Sequence, residues 1–388
     1  MSSLSRVKIA LVHDYLKEYG GAERVLEALH EIWPKAPIFT LVYKPNFLGP
    51  HKERLKKWDI RPIIPSWVPF VEKLVSPLRL VAPFLFSKLN LQNFDLVIVS
   101  ATGAYSPNFV KTKPKRHICY CHTPPRYLYG YPTAREWKRY WPIRILGEIA
   151  NHFLRQADFR SAQKVDYFVA NSKNTAERVW KFYRKKAVVI YPPVEINEKL
   201  KIKNEKLQLK IKNYFLTGGR LARAKRIEVA VEACTRLNLP LKVFGRIFAG
   251  YGQEVKKIAG PTIEFLGEVA EEEKNKLFAN CKAFIFPAEE EDFGITPVEA
   301  MAAGRPVIAL RQGGVKETII EGKTGEFFEE PTAGGLVEVL KGFKPEKYKP
   351  ENCRKQAEKF SKANFVKKIR NFVRKVVESG SGRYESQD

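Results

Sequence analysis

From Val7 onward, short runs of apolar residues alternate with longer stretches in which apolar positions recur every third or fourth residue. The runs predict strands at 7–13, 38–42, 95–100, 117–121, 167–170 and 188–191 in the first half, and at 214–217, 241–244, 263–266, 283–286 and 306–310 in the second. Helical periodicity falls between them, as at 22–32 and 227–237. Strands this uniformly apolar suit a parallel sheet with both faces covered, rather than one with a wet face. The alternation therefore predicts α/β doubly wound architecture, and it occurs twice. The seam falls near Pro192-Pro193, and the charged stretch 195–212 reads as a linker. The expected domains are 1–193 and 194–359, each a Rossmann-like parallel-sheet domain, with a helix over 360–378 returning to the first. That helix carries Phe365, Ile369, Phe372 and Val376 on one face. The tail 379–388 is read as flexible and carries no fold argument.

One segment resists this scheme. Residues 63–89 hold Trp67, Phe70, Leu74, Leu78, Leu80, Phe84 and Phe86, with Lys73, Arg79 and Lys88 interspersed and Arg61 just before them. Four prolines interrupt it. It reads either as an irregular helical excursion packed on the core or as an element that dips into an anionic membrane surface.

Composition narrows the class. With 388 residues, 44% of them hydrophobic, the chain is long enough for two domains with separate cores. No apolar run of about 18 residues is free of charge, so no spanning helix is expected. The N-terminus has no separate signal region, which predicts a cytoplasmic protein. The five cysteines are scattered, with no Cys-x-x-Cys, and read as free thiols; Cys119 and Cys121 are expected on opposite faces of a strand. The formal charge of +26 calls for an anionic partner, and roughly +17 of it lies in the first 200 residues. Basic clusters stand at 111–116, 135–139 and 184–186. A nucleic-acid reader fits the charge alone, but the clusters are dispersed and no reading module accompanies them, so nucleic acid is not an expected partner.

Four motifs carry candidate chemistry. The first runs Glu291-Asp292-Phe293-Gly294-Ile295-Thr296-Pro297-Val298-Glu299. Thr296 is expected as the N-cap of a helix over 297–303, with Pro297 first and Glu299 completing a capping box. The helix N-terminus suits a phosphate, and Gly294 permits close approach of a ligand. Glu291 and Glu299 flank that anion site and can accept hydrogen bonds from hydroxyls. The second is Thr217-Gly218-Gly219-Arg220-Leu221 with Lys225 soon after. Two cations at the end of a parallel strand can neutralise a diphosphate. The third is Gly20-Gly21-Ala22-Glu23, opening the first helix, and the fourth is His122-Thr123-Pro124-Pro125-Arg126, just past a strand end. Histidine there lies where ligands bind in such folds. Neither a P-loop nor a Gly-x-Gly-x-x-Gly fingerprint is present, and the six histidines show no metal-ligand spacing, so no metal is expected.

In order and spacing these motifs resemble the retaining glycosyltransferases of family 4, whose fold is called GT-B. The resemblance spans nearly the whole chain. It includes Gly20-Gly21-Ala22-Glu23, His122-Thr123-Pro124, Asn171-Ser172, Tyr191-Pro192-Pro193-Val194, Gly219-Arg220-Leu221 with Lys225, Glu291 with Glu299, Gly304-Arg305-Pro306-Val307 and Gly313-Gly314-Val315-Lys316-Glu317. The resemblance implies two Rossmann-like domains with the donor bound in a cleft between them. Arg220 and Lys225 would hold the donor diphosphate, with Gly219 beside them. Backbone N–H groups around Phe293, Gly294, Ile295 and Thr296 would complete that site. Glu299 would bind the ribose and Glu291 the hydroxyls of the transferred sugar. Gly21 would approach the phosphates from the first domain, and His122, Glu23 and Arg126 would serve the sugar and acceptor side. His122, Arg220, Lys225 and Glu291 are the implied catalytic set. Two departures stand out: Thr296 replaces a common proline, and Phe244-Gly245-Arg246 lacks the usual Gly-x-Gly.

Within the family, Cys121 to Tyr127 and the opening Val12-His13-Asp14-Tyr15 look most like mannosyltransferases of bacterial surface-polysaccharide assembly. That implies a retaining, metal-independent hexosyltransferase with no cofactor beyond its nucleotide-sugar co-substrate. Its donor would be GDP-mannose, and its acceptor a polyprenyl-diphosphate-linked glycan at the cytoplasmic membrane face. UDP-glucose and UDP-galactose stay open as donors. A protein that binds a nucleotide sugar without transfer, or one that epimerises it, are the rival readings.

Overall fold

The protein is described by a computed structural model covering residues 7–71, 74–114, 116–133, 141–196, 212–247 and 250–378. The basic cluster at 135–139, most of the linker 195–212, Lys73 and the tail 379–388 lie outside the described residues. The chain divides into two compact units. One holds the chain to Gly130, the stretch ending at Pro193 and the terminal helix from Lys362; the other holds Val194–Ser361.

In the first unit, β1 (Ile9–His13), α1 (Gly21–Ile32), β2 (Ile38–Val42), α2 (Lys52–Leu55), β3 (Ile60–Ile64), α3 (Val75–Lys88), β4 (Leu96–Ala101), β5 (His117–Cys121), α4 (Trp141–Gln163), β6 (Tyr167–Ala170), α5 (Lys173–Tyr183) and β7 (Ala187–Val189) follow in order. Their sheet is all parallel, with strand order β3-β2-β1-β4-β5-β6-β7. The second unit runs β8 (Phe215–Gly218), α6 (Ile227–Arg236), β9 (Leu241–Phe244), α7 (Tyr251–Lys257), β10 (Ile263–Gly267), α8 (Glu271–Asn280), β11 (Phe284–Phe286), α9 (Ile295–Ala302), β12 (Val307–Leu310), α10 (Val315–Thr318), β13 (Gly325–Phe328), α11 (Ala333–Gly342) and α12 (Pro350–Glu358). Its parallel sheet has the order β10-β9-β8-β11-β12-β13. Both are doubly wound sheets, so the fold class read from the alternation holds. Each reverses its winding beside its first strand, between β1 and β4 and between β8 and β11, and ligands of such sheets bind outside the carboxyl ends there.

The central strands are buried throughout, as their largely apolar content dictates. Two strands went unread. β3 is a half-exposed edge whose Arg61 and Pro62 break the apolar run; an edge tolerates proline because one side of its ladder is unpaired. β13 is short and begins at Gly325, where a Cβ would sit 2.0 Å from the Val307 carbonyl oxygen, so the close strand approach excludes a side chain that would have marked it.

The terminal helix α13 (Lys362–Glu378) packs on the first sheet. Its Phe365, Ile369, Phe372, Val373 and Val376 join Leu11, Leu26, Leu29 and Tyr120 in one core cluster, and Lys362 pairs with Glu31 at 2.7 Å. The other face of the sheet is covered by a cluster that includes Leu78, Ala82 and Phe86 of α3 and both Cys119 and Cys121. The two cysteines therefore share a face, contrary to expectation, because strand residues two apart project to the same side. All five thiols are buried and free.

Segment 63–89 is more regular than its prolines predict. After β3, α3 runs unbroken through Pro83 and turns Leu78, Ala82 and Phe86 inward while Leu80, Val81 and Phe84 face solvent. Trp67 is 81% exposed and Phe70 63%. Packed beside α3, α4 bares Trp141, Ile145, Leu146, Ile149 and Phe153, a stripe that the sequence reading did not anticipate.

Candidate active site

The second unit's sites lie at its switch point. β8 ends at Gly218, and Gly218 and the following Gly219 both take positive φ (156° and 121°). The turn is stacked tightly on the end of β9. A Cβ on Gly245 would lie 1.7 Å from the Gly219 carbonyl oxygen, and one on Gly218 would lie 2.3 Å from that of Phe244. Leu221 N–H then bonds the Arg246 carbonyl at 2.9 Å, which leads the exposed Arg220 out of the sheet end. A 3₁₀ turn, Arg223–Lys225, follows.

That turn is braced from below. Arg226 sits at φ 49°, and its guanidinium engages Glu228 at 2.5 Å, Glu289, and the Pro331 carbonyl at 3.0 Å. Glu289 N–H bonds the Ala224 carbonyl at 3.2 Å. With the turn fixed on the acidic loop after β11, Lys225 Nζ reaches Glu291 Oε2 at 2.6 Å. Both side chains keep about a fifth of their surface exposed (23% and 21%), so the pair stands at the surface of the site.

The helix of the first motif starts earlier than expected. Gly294, at φ 87°, is the N-cap, and α9 begins at Ile295, so Thr296 and Pro297 lie inside its first turn. No side chain caps it. The left-handed glycine turns the chain into the helix two residues sooner than a Thr296 cap would. Glu299 is thereby released from the expected capping box and instead accepts from Lys274 Nζ of α8 at 3.1 Å. The N-terminus of α9 lies beside the β8 loop: a Cβ on Gly219 would be 3.9 Å from Thr296 Oγ1. An α-helix leaves its first N–H groups without intrahelical partners and carries partial positive charge there. Phe293 is buried against Phe360, and Gly313 and Gly314 pack against the backbone of 290–293 so closely that a Cβ on either would meet a carbonyl oxygen at 2.2 Å. The loop bearing Glu291 is thus rigidly held.

In the first unit, His122 follows β5 at the carboxyl end. Its N–H bonds the Ala101 carbonyl at 2.9 Å, and its own carbonyl accepts from Asn171 Nδ2 at 2.9 Å and Thr175 Oγ1 at 3.4 Å. The ring is nearly buried, and Nε2 lies 2.9 Å from Ser100 Oγ. Ser100 Oγ lies 3.1 Å from His13 Nδ1, and His13 Nε2 is 3.6 Å from Glu23 Oε1. Glu23 Oε2 accepts the Gly20 N–H at 2.8 Å, just before Gly21 opens α1. Burial, with His13 beside it, pushes His122 down to about 3. The ring is therefore neutral at physiological pH and a poor proton acceptor. Next to His13, Asp14 accepts from the Thr102 and Tyr105 N–H groups and fixes the loop after β4; burial raises it to about 6. Arg126 lies half-buried in the turn beyond Pro125.

Residues 19–198 match the family description "Glycosyltransferase Family 4", and residues 198–360 match "Glycosyl transferases group 1". The chain belongs to glycosyltransferase family 4. The glycosyltransferase is 27% identical over 400 residues to the alpha-1,3/1,6-mannosyltransferase ALG2 of Mus musculus, covering 92% of this chain and 94% of the relative. It is 25% identical over 335 residues to the enzyme of that name from Dictyostelium discoideum, covering 74% and 76%. Its fold is similar to that of Anabaena HepE in complex with UDP, with a TM-score of 0.66 at 17% identity, covering 94% of this chain and 99% of HepE. These relations and the two parallel sheets give the glycosyltransferase the GT-B fold.

Within each unit the motif residues converge. Gly219, Lys225, Glu291, Gly294 and Thr296 of the glycosyltransferase gather at one sheet end, with Arg220 on the same loop. Glu299 is held to one side by Lys274. In the first unit, Glu23 and His122 are linked through His13 and Ser100. Sequence reasoning missed Lys274, which stands in a Glu-rich stretch outside every motif, and the Arg226–Glu289 brace, which no spacing rule reveals. It also missed Ser100, an unremarked hydroxyl at the end of an apolar strand.

Proposed function

We propose that the protein transfers mannose from GDP-mannose, with retention at the anomeric carbon, to a polyprenyl-diphosphate-linked glycan. The observation that carries the reading is the assembly at the carboxyl end of β8 and β11: Lys225 against Glu291, the stacked glycine loop bearing Arg220, and the N-terminus of α9. Two cations and a helix terminus on one rigid loop cluster suit a diphosphate. Glu291 then has a carboxylate for the hydroxyls of the sugar, and Glu299, steadied by Lys274, has one for the ribose. The mannosyltransferase names of the similar proteins support the sugar.

In this reading the bond from C1 to the diphosphate oxygen breaks as the bond from C1 to the acceptor oxygen forms on the same face. The acceptor's proton passes to the leaving diphosphate. Lys225, Arg220 and the α9 terminus stabilise the negative charge that builds there, a term that is usually the largest in such catalysis. His122, held neutral by burial, serves as a hydrogen-bonding group, and no protein nucleophile or metal takes part. Gly21 at the start of α1 offers backbone N–H groups to the donor phosphates, while Arg126 and Glu23 serve the acceptor side.

No helix among the described residues is long and apolar enough to cross a membrane. The exposed aromatic and aliphatic residues of 67–84 and of α4 support peripheral attachment to an anionic bilayer on the cytoplasmic face, together with Arg144 and Arg160 of α4. The test is transfer of labelled mannose from GDP-mannose to a polyprenyl-diphosphate-linked acceptor, with and without a chelator, followed by NMR of the anomeric linkage. An α-linked product formed with the chelator present supports the reading in full. An inverted linkage, strict metal dependence, or transfer only from UDP-glucose or UDP-galactose would overturn the corresponding part.

A further inference from the structure

A buried polar line crosses the first unit from α1 to the end of β5. It runs Glu23 Oε1 to His13 Nε2 (3.6 Å), His13 Nδ1 to Ser100 Oγ (3.1 Å) and Ser100 Oγ to His122 Nε2 (2.9 Å). His13 and Ser100 are fully buried, Glu23 is 5% exposed and His122 9%. With both rings neutral, proton counting leaves the line two polarities. Ser100 has one hydroxyl proton and stands between two ring nitrogens, so in a fully bonded line it donates to one and accepts from the other. Among the described residues His13 Nε2 is buried with no hydrogen-bond partner, and the Glu23 carboxylate lies 3.6 Å from it. A carboxylate at that range favours the nitrogen that carries hydrogen. His13 is then protonated at Nε2 and bare at Nδ1, where it accepts the Ser100 hydroxyl. Ser100 Oγ in turn accepts from His122 Nε2–H. His122 is left with a bare Nδ1, for which the described residues supply no hydrogen-bond partner.

We propose that Glu23, His13 and Ser100 are positioning residues that lock His122 in its Nε2–H tautomer, so that its Nδ1 accepts a hydrogen bond from a substrate hydroxyl. Which ring nitrogen carries the proton is set by the partner of the other nitrogen, and here that partner is reached through two side chains. The substrate's part rests on the glycosyl-transfer reading above; the tautomer itself does not. Glu23 also holds the Gly20 N–H, so one carboxylate fixes both the glycine turn and the direction of the line. The low basicity of the buried ring agrees with an acceptor role rather than proton abstraction.

The experiment is long-range ¹H–¹⁵N correlation NMR on full-length protein labelled at histidine, with the His122 signals assigned by their loss in His122→Gln. The wild type should show His122 as the Nε2–H tautomer. Ser100→Ala should give a mixture of tautomers and lower kcat about tenfold or more with little change in donor KM, and Ser100→Thr should restore both. Glu23→Gln supplies an independent arm if Ser100→Ala does not fold. Its amide can keep the Gly20 contact and offer N–H to His13 Nε2, which reverses each hydrogen bond and should switch His122 to Nδ1–H. A wild-type His122 found as Nδ1–H, or a tautomer unmoved by both variants, overturns the proposal. If the tautomers behave as described but no nucleotide sugar binds or reacts, the transfer reading fails while the locked histidine stands.

Discussion

Replacing Lys225 with alanine should separate catalysis from folding. Lys225 pairs with Glu291 at 2.6 Å, and each side chain keeps about a fifth of its surface in water. Such a pair is largely screened, so its loss should cost at most about 1 kcal/mol of stability. For a domain of this size that lowers the melting temperature by about 2–4 °C. The chemical loss should be larger. A preorganised cation facing the charge of the leaving diphosphate acts where charge develops, and removing one such group costs about 10²–10³-fold in kcat, or about 3–4 kcal/mol. Glu291→Gln should also impair turnover. The double variant should be less impaired than the sum of the two losses, because the residues form one contact. The assay is single-turnover transfer of labelled sugar at saturating donor, alongside thermal melting of each variant. Near-wild-type turnover in Lys225→Ala would refute the diphosphate role. A fall in turnover matched by collapse of the melting transition would refute the claim that the pair is catalytic rather than structural.

Gly245→Ala should abolish donor binding and turnover together, because its Cβ would meet the Gly219 carbonyl oxygen at 1.7 Å and displace the loop that bears Arg220; nucleotide titration checks this. Glu299→Ala should weaken nucleotide affinity about tenfold and also lower stability by about 1–3 kcal/mol, because among the described residues it leaves the nearly buried Lys274 with Glu271 alone as a charge partner; calorimetry and melting read the two effects separately. Below pH 6.5 the wild type should lose stability relative to His122→Gln. The folded His122 sits at about 3, so its contribution is complete above its unfolded value and falls by about 1.4 kcal/mol per pH unit as the medium acidifies; chemical denaturation from pH 7 to 4 measures the difference. Trp141→Ser with Phe153→Ser should reduce co-sedimentation with anionic vesicles while melting is unchanged, and undiminished binding would remove α4 from the membrane surface.

Most of the fold was legible because its strands are buried on both faces and so read as unbroken apolar runs. β3 and β13 escaped because one is an edge bearing Arg61 and Pro62 and the other opens at a glycine required by close strand contact. The motif residues of the candidate site were legible as types in order, since glycines, cations and carboxylates at strand ends have few other uses. What they do locally was less legible. Thr296 looked like a cap because Ser and Thr often are, but Gly294 in the left-handed region outcompetes it and starts the helix earlier. Glu299 is consequently held by Lys274 rather than by its own helix. Such long-range pairings depend on tertiary placement, and so do the Arg226–Glu289 brace and the line from Glu23 to His122; no local spacing encodes them. The apolar stripe of α4 was masked by the arginines among its apolar positions.

The most direct test of the central claim is the melting of the full chain with GDP, UDP, GDP-mannose, UDP-glucose and UDP-galactose, repeated with Lys225→Ala. A ligand that binds only the folded state at about 100 times its dissociation constant adds about 2.7 kcal/mol of stability. The account predicts a selective upward shift with GDP and GDP-mannose that is lost in Lys225→Ala. A cooperative transition that none of the five ligands moves would contradict a nucleotide-sugar site at the end of β8.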